Sequence, residues 1–329
     1  MRHLLSIRDL SEADLETILT LSEQAARPRV LQDRGVALYF EKPSSRTRNS
    51  MELAAAQLGG LPVYLQPGEL GIGTRESVAD VTRTLACYHG IVAARVFDHG
   101  LLEQMAAVNA APILNMLSGT DHPLQALADL LTIKQLLGRL KGVRVAFIGE
   151  GNNVSRSLAE ACALAGAEFV IASPEGHGLE GSLTDPMEAV VGVDIVYTDV
   201  WVSMGGEESE DRRVLFEPYQ VDEALMALAP NAWFMHCLPA RSGEEVTAAV
   251  IDGPRSAVWR QAENRMHSAR GAMLWMMGIK PETESKNDEQ EAESGARLFG
   301  RARHLDHPQM AANDLWLRGR HLHGRSRPG

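Results

Sequence analysis

The segment Ser44-Ser45-Arg46-Thr47-Arg48 gathers hydroxyls, guanidinium groups and the unpaired N–H groups of a helix start within five residues. That combination suits an oxyanion, and a phosphate above all. Two arginines at the positive end of a helix dipole are unfavourable unless an anion accompanies them. The chain has no GxxxxGK[ST] sequence, so this is not the phosphate loop of a nucleoside-triphosphate hydrolase.

Four further places put polar residues directly after apolar runs. Arg95 stands near the end of the run Val92 to Phe97, beside the first segment if the two strands are neighbours. In His122-Pro123-Leu124-Gln125 the histidine and glutamine share one face of an opening helical turn and can both point at a ligand. Gly149-Glu150-Gly151-Asn152-Asn153-Val154 follows a strand pattern and opens a helix, as a dinucleotide fingerprint would. Val154 occupies the place of the third glycine, however, so the match to a nicotinamide site is weak, and Asn153 is free to hold a polar substrate group. The last place is a pair, Asp199 to Gly205 and His236-Cys237-Leu238-Pro239. Asp199 offers the carboxylate that an amine-bearing substrate needs. Cys237 reads equally as an inert buried thiol or as a polarised sulfur at a strand end.

Ligands of open parallel sheets gather beyond the carboxyl ends of the strands, so these residues call for a βαβ framework. The sequence supplies it. Apolar β-type runs at 36–40, 63–65, 91–97 and 112–116 alternate with helical patterns at 50–58, 77–88, 101–109 and 123–137. Pro123 suits the first turn of the last of these helices. After Gly138 to Gly142 a second series runs through strands at 143–148, 169–172, 195–198 and 233–236, with helices at 154–164 and 221–228. A final amphipathic helix, 257–277, is expected to pack across both lobes. The expected fold is α/β, with two lobes that are each a mainly parallel sheet flanked by helices. The expected units are residues 1–137, 138–278 and a disordered tail, 279–329.

The tail reading rests on charge segregation: residues 281–293 hold six acidic side chains against Lys286 alone, and residues 297–329 carry seven arginines and four histidines. Residues 310–317 are the one stretch there with helical potential. The whole chain, 329 residues with 45% apolar side chains, is long enough for two cores. Its three cysteines, Cys87, Cys162 and Cys237, are widely spaced, which suggests neither a disulfide framework nor a structural zinc site. Apolar runs fall short of the ~20 residues that span a bilayer. The opening Met1-Arg2-His3 leads straight into an amphipathic pattern, so a cytoplasmic protein is expected. A net charge of −11 argues against nucleic acid as a partner, and any anion site must be built locally.

SSRTR, HPLQ, DVWVSMG and HCLP, in this order and each after an apolar run, resemble the carbamoyltransferases, and among them the ornithine carbamoyltransferases. Glu263-Asn264-Arg265 in the final helix is similar too, and the resemblance covers about residues 2–278. It implies attack of the side-chain amine of L-ornithine on the carbonyl carbon of carbamoyl phosphate, giving L-citrulline and phosphate for arginine synthesis without metal or organic cofactor. By the same resemblance Ser44, Ser45, Arg46 and Thr47 hold the phosphate and Arg95 bridges phosphate and carbonyl oxygen. His122 and Gln125 hold the carbamoyl oxygen and amide. Asn153, Asp199, Ser203 and Met204 bind ornithine; Cys237, Leu238 and Arg265 complete the pocket, with Cys237 the implied proton acceptor and Asp199 able to assist.

Two departures are mild: Ser45 stands where threonine is commoner, and Glu150 where aspartate is. The SMG and HCLP patterns are absent from aspartate carbamoyltransferases and favour a basic amino-acid substrate. Acetylornithine and putrescine carbamoyltransferases remain alternatives, because the contacts that tell them apart lie in loops that a single sequence does not label. So does a non-catalytic paralogue that uses the tail as its interaction element. The resemblance also implies a homotrimer or a multiple of it.

Overall fold

Eight short apolar runs become strands, and every neighbouring pair is parallel. Strands buried on both faces by returning helices need no polar alternation, which is why the runs read as continuously apolar. The computed structural model describes residues 1–201 and 210–282. Its first half runs α1 (Glu12–Glu23), β1 (Gly35–Phe40), α2 (Ser45–Gln57), β2 (Leu61–Leu65), α3 (Pro67–Leu70), α4 (Val78–Tyr88), β3 (His89–Arg95), α5 (His99–Val108), β4 (Ile113–Leu117) and α6 (Pro123–Leu137). The second half runs β5 (Arg144–Ile148), α7 (Asn153–Leu164), β6 (Glu168–Ala172), α8 (Pro186–Val190), β7 (Ile195–Thr198), α9 (Glu210–Phe216), α10 (Glu223–Ala227), β8 (Trp233–His236), α11 (Ala248–Ile251) and α12 (Val258–Met276).

The two sheets repeat one topology, with strand orders β2-β1-β3-β4 and β6-β5-β7-β8. In each, the chain winds outward from the first strand, then crosses to its other side. The switch points therefore lie between β1 and β3 and between β5 and β7. Helices leave such a pair in opposite directions and open a crevice beyond the strand ends.

A single apolar core joins the inner faces, from Phe40 and Leu127 to Phe147, Tyr197 and Met273. The outer faces have separate clusters, around Val92 and Leu102 in one lobe and Val196 and Phe234 in the other. The final helix packs on α1, α2, α6 and β8 and so crosses both lobes, as expected. Polar contacts fix its rotation: Trp275 Nε1 donates to Asp14 Oδ1 at 2.8 Å and Asn264 Nδ2 to Thr132 Oγ1 at 2.9 Å.

Several boundaries shift by one to five residues from expectation, and three of the shifts have a clear physical cause. The second helix begins at Ser45 rather than Ser50, because Ser44 is its N-cap and accepts the Thr47 N–H at 3.3 Å. Strand β3 ends at Arg95 rather than Phe97. Apolar character continues to Phe97, but Phe97 is 61% exposed and donates its N–H to Glu41 Oε2 at 2.8 Å instead of extending the ladder. The helix expected over 221–228 shortens to Glu223–Ala227, because Asp222 caps it and Val221 forms a bridge with Val246. Residues 310–317, the stretch of the tail with helical potential, lie outside the described residues.

Candidate active site

Both crevices open into one cleft of about 710 Å³, lined from both sheets and from α12. On the first sheet the register pairs Phe40 with Arg95, so the end of β1 and the end of β3 lie side by side. This brings the α2 N-terminus next to Arg95. Ser44 Oγ donates to Thr47 Oγ1 at 3.1 Å, and Thr47 Oγ1 also accepts Arg95 Nη1 at 3.3 Å and Arg265 Nη2 at 3.5 Å. Ser44, Arg46 and Thr47 line the cleft. Ser45 is the first residue of α2 and its side chain is exposed outside the lining. Arg48 also turns away, with Nε on Glu52 Oε1 at 2.7 Å and its guanidinium 4.1 Å from the Tyr64 ring. The strain of two arginines at a helix start is thus relieved, since Arg48 is paired and only Arg46 faces the cleft.

Arg46, Arg95 and Arg265 form a cationic corner. Arg95 and Arg265 are buried, and burial draws each guanidinium down to about 10, with Arg265 and Arg46 adding repulsion at Arg95. At Arg265 the Asp129 carboxylate opposes the fall. Arg95 Nε has no partner among the described residues. Buried cations of this kind are costly unless an anion pairs with them, and a phosphate dianion is the natural complement.

His122 is the N-cap of α6, held by its backbone N–H on Ser157 Oγ at 2.9 Å. Burial, then Arg265 and Arg95, pull its pKa well below the ordinary histidine value, so the ring is neutral at pH 7. Arg265 Nη1 lies 3.4 Å from Nε2 and can only donate, which leaves the proton on Nδ1. Nδ1 is buried and has no partner among the described residues. Gln125, one turn on, accepts Arg265 Nη1 on Oε1 at 2.9 Å.

Across the cleft, the switch point of the second sheet presents α7 and the ends of β7 and β8. Asp199 is fixed by Val200 N at 2.8 Å on Oδ1 and Asn152 Nδ2 at 3.1 Å on Oδ2. Cys237 Sγ donates to Asp199 Oδ1 at 3.1 Å. Burial, then the Asp199 carboxylate, push the thiol well above its ordinary value, so the group is S–H rather than thiolate. Leu238 follows with φ 60, a left-handed conformation costly for leucine. It is held there by its N–H on His236 Nδ1 at 2.8 Å, while His236 Nε2 meets buried Glu245 Oε1 at 3.1 Å. His236 therefore shapes the turn and is not among the residues lining the cleft.

Asn153 lines the cleft and donates Nδ2 to the Ser118 carbonyl at 2.7 Å, tying the start of α7 to the loop after β4. Gly151 is explained by packing: a Cβ there would lie 2.4 Å from the Gly178 carbonyl carbon, so close backbone approach requires glycine without any dinucleotide. Ser203 and Met204 lie outside the described residues. Asp199, His236 and Cys237 are close enough to suggest a metal cluster, but both ring nitrogens of His236 are already engaged, and the set does not fit as a metal site.

Sequence reasoning missed Gln261, which lines the cleft, and Asp129 and Tyr197, which meet it from behind. Helix spacing held the signal for two of them. Asp129 stands four residues after Gln125, and Gln261 four before Arg265, so each shares a face with a residue already singled out.

Two parallel-sheet lobes, with a cationic corner suited to an oxyanion on one and a carboxylate–thiol pair on the other, share one cleft in the manner of a two-substrate transferase. The family comparison identifies which. Residues 2–135 match the aspartate/ornithine carbamoyltransferase carbamoyl-P binding domain, and residues 141–276 match the Asp/Orn binding domain of the same family. An ornithine carbamoyltransferase of Hyperthermus butylicus is 47% identical over 306 residues, covering 84% of this chain and 97% of that protein. That of Bacillus subtilis is 44% identical over 310 residues, covering 87% and 96%. The solved structure of the Pyrococcus furiosus ornithine carbamoyltransferase superposes with a TM-score of 0.81 at 42% identity, covering 85% of this chain and 98% of that one. The chain belongs to the aspartate/ornithine carbamoyltransferase family.

Proposed function

We propose that the cleft transfers the carbamoyl group of carbamoyl phosphate to the side-chain amine of L-ornithine, giving L-citrulline and phosphate. One observation carries the reading: a buried cationic corner at the first switch point and a fixed carboxylate at the second share a single cleft. Residues 1–137 supply the carbamoyl-phosphate half and 138–278 the ornithine half. In the first half Ser44, Arg46 and Thr47, with the Ser45 backbone N–H, hold the phosphate. Arg95, Arg265 and His122 stabilise the negative charge that grows on the carbonyl oxygen and leaving phosphate as the amine attacks. Gln125 receives the carbamoyl amide.

In the second half Asp199 and Asn153 orient ornithine, with Ser203 and Met204 completing its pocket, while Leu238 and Cys237 reach back to the carbamoyl phosphate. The attacking nitrogen must shed a proton, and the protonated state of Cys237 makes Asp199 the first acceptor. The reaction needs no cofactor. Among the described residues no helix is long and apolar enough to cross a membrane. A cytoplasmic homotrimer, or a multiple of it, is the assembly we propose.

The test is product formation from carbamoyl phosphate with ornithine, acetylornithine, putrescine and aspartate in parallel. Turnover fastest with ornithine is expected; a preference for any other amine overturns the substrate assignment.

A further inference from the structure

Asp129 lies one turn behind Gln125 on α6, wholly buried and outside the cleft lining. Its Oδ1 accepts Gln125 Nε2 at 2.8 Å and Gln261 Nε2 at 2.7 Å, and its Oδ2 accepts the Tyr197 hydroxyl at 3.2 Å. An ionised carboxylate only accepts, so both amides must turn their nitrogens toward it. Each then presents its oxygen on the opposite side. Gln125 Oε1 meets Arg265 Nη1 at 2.9 Å, and Gln261 Oε1 meets the backbone N–H of His236, next to Cys237, at 2.9 Å.

We infer that Asp129 is a positioning residue: it locks the Gln125 amide with Oε1 toward the acyl group, so that the site selects an acyl phosphate bearing N–H donors. The inference rests on the carbamoyl-phosphate reading above. If Gln125 were reversed, Oε1 would face the Asp129 carboxylate and Nε2 would face both Arg265 and the carbamoyl N–H. Acceptor would meet acceptor on one side and donor would meet donor on the other. One carboxylate forbids both.

Asp129→Asn keeps the shape but can present nitrogen as well as oxygen, so either orientation of Gln125 becomes satisfiable. At pH 8, citrulline formation by wild type, Asp129→Asn and Asp129→Ser is compared, with acetyl phosphate as a competitive inhibitor that has the phosphate and carbonyl but no N–H. Loss of one hydrogen bond's discrimination raises the KM for carbamoyl phosphate about tenfold. The KM for ornithine and the inhibition constant for acetyl phosphate stay within about twofold of wild type, the scatter expected where no contact is lost. In a Gln125→Ala background, Asp129→Asn adds nothing further.

An unchanged KM for carbamoyl phosphate overturns the inference. So does an equal weakening of carbamoyl phosphate and acetyl phosphate, or failure of both variants to give a cooperative thermal melt, since the carboxylate then serves only the fold. Absence of citrulline with wild type is a different result: it overturns the function reading itself.

Discussion

Arg265 Nη1 donates to Gln125 Oε1 at 2.9 Å across 140 positions of sequence, joining the final helix to the first turn of α6. The same guanidinium reaches Thr47 Oγ1 at 3.5 Å, so one side chain touches both the proposed phosphate corner and the proposed carbamoyl pocket. Removing it takes a fixed donor from the place where charge develops. Arg265→Ala is expected to lower kcat/KM for carbamoyl phosphate by about 10²–10³-fold. Arg265→Lys restores little, because a point charge cannot reproduce the planar fork. Steady-state kinetics with varied carbamoyl phosphate checks both.

Arg46 tests the proposed phosphate corner more locally, since it is only partly buried and lines the cleft. Arg46→Ala is expected to raise the KM for carbamoyl phosphate by about 10–100-fold, the loss of a hydrogen bond to a charged group. The KM for ornithine and the melting temperature should stay close to wild type. An unchanged KM for carbamoyl phosphate would contradict the phosphate role.

Asp129 makes a pH-dependent contribution whose sign follows from its burial. Its carboxyl is pushed up to about 7, chiefly by desolvation, against the hydrogen bonds from Gln125, Gln261 and Tyr197 and the attraction of Arg265. Cys162, Tyr197 and Cys237 are the other titratable groups that feel it. The ordinary value is 3.8, so between about pH 4 and pH 7 the native state holds a proton that the unfolded state has released. Stability from this group is therefore lost as pH rises through that window, by on the order of 4 kcal/mol. Asp129→Asn removes the effect. Urea unfolding at pH 5 and pH 8 should show the variant gaining on wild type at the higher pH; a constant difference would contradict the buried ionisation.

Cys237 should be slow to alkylate despite its place in the cleft. Its thiol is held protonated by burial and by the Asp199 carboxylate, whereas Cys87 is exposed. With iodoacetamide at pH 8, peptide mass spectrometry should find Cys87 modified first. Faster modification of Cys237 would mean that the thiolate is populated and would restore it as the proton acceptor.

The parallel framework was legible because strands covered on both faces leave uninterrupted apolar runs, as at Val36 to Phe40 and Val143 to Ile148. The polar residues after them marked the crevices before any strand order was known. Short helices such as α3, α8 and α11, of four or five residues, were not legible, because they complete little more than one turn and show no periodicity. Phe97 misled in the other direction, since its apolar character outlasted the hydrogen-bond ladder. Asp129 shows the deeper limit. Its partners come from α6, β7 and α12, and only the tertiary fold reveals that one carboxylate orients amides serving both halves of the cleft.

The central claim is a transfer between two half-sites of one cleft, and carbon-13-labelled carbamoyl phosphate tests it most directly. With purified protein and L-ornithine, the expected result is citrulline carrying the label at its ureido carbon, formed in equal amount with released phosphate. Phosphate release without labelled citrulline, or no turnover at saturating substrates, would contradict it.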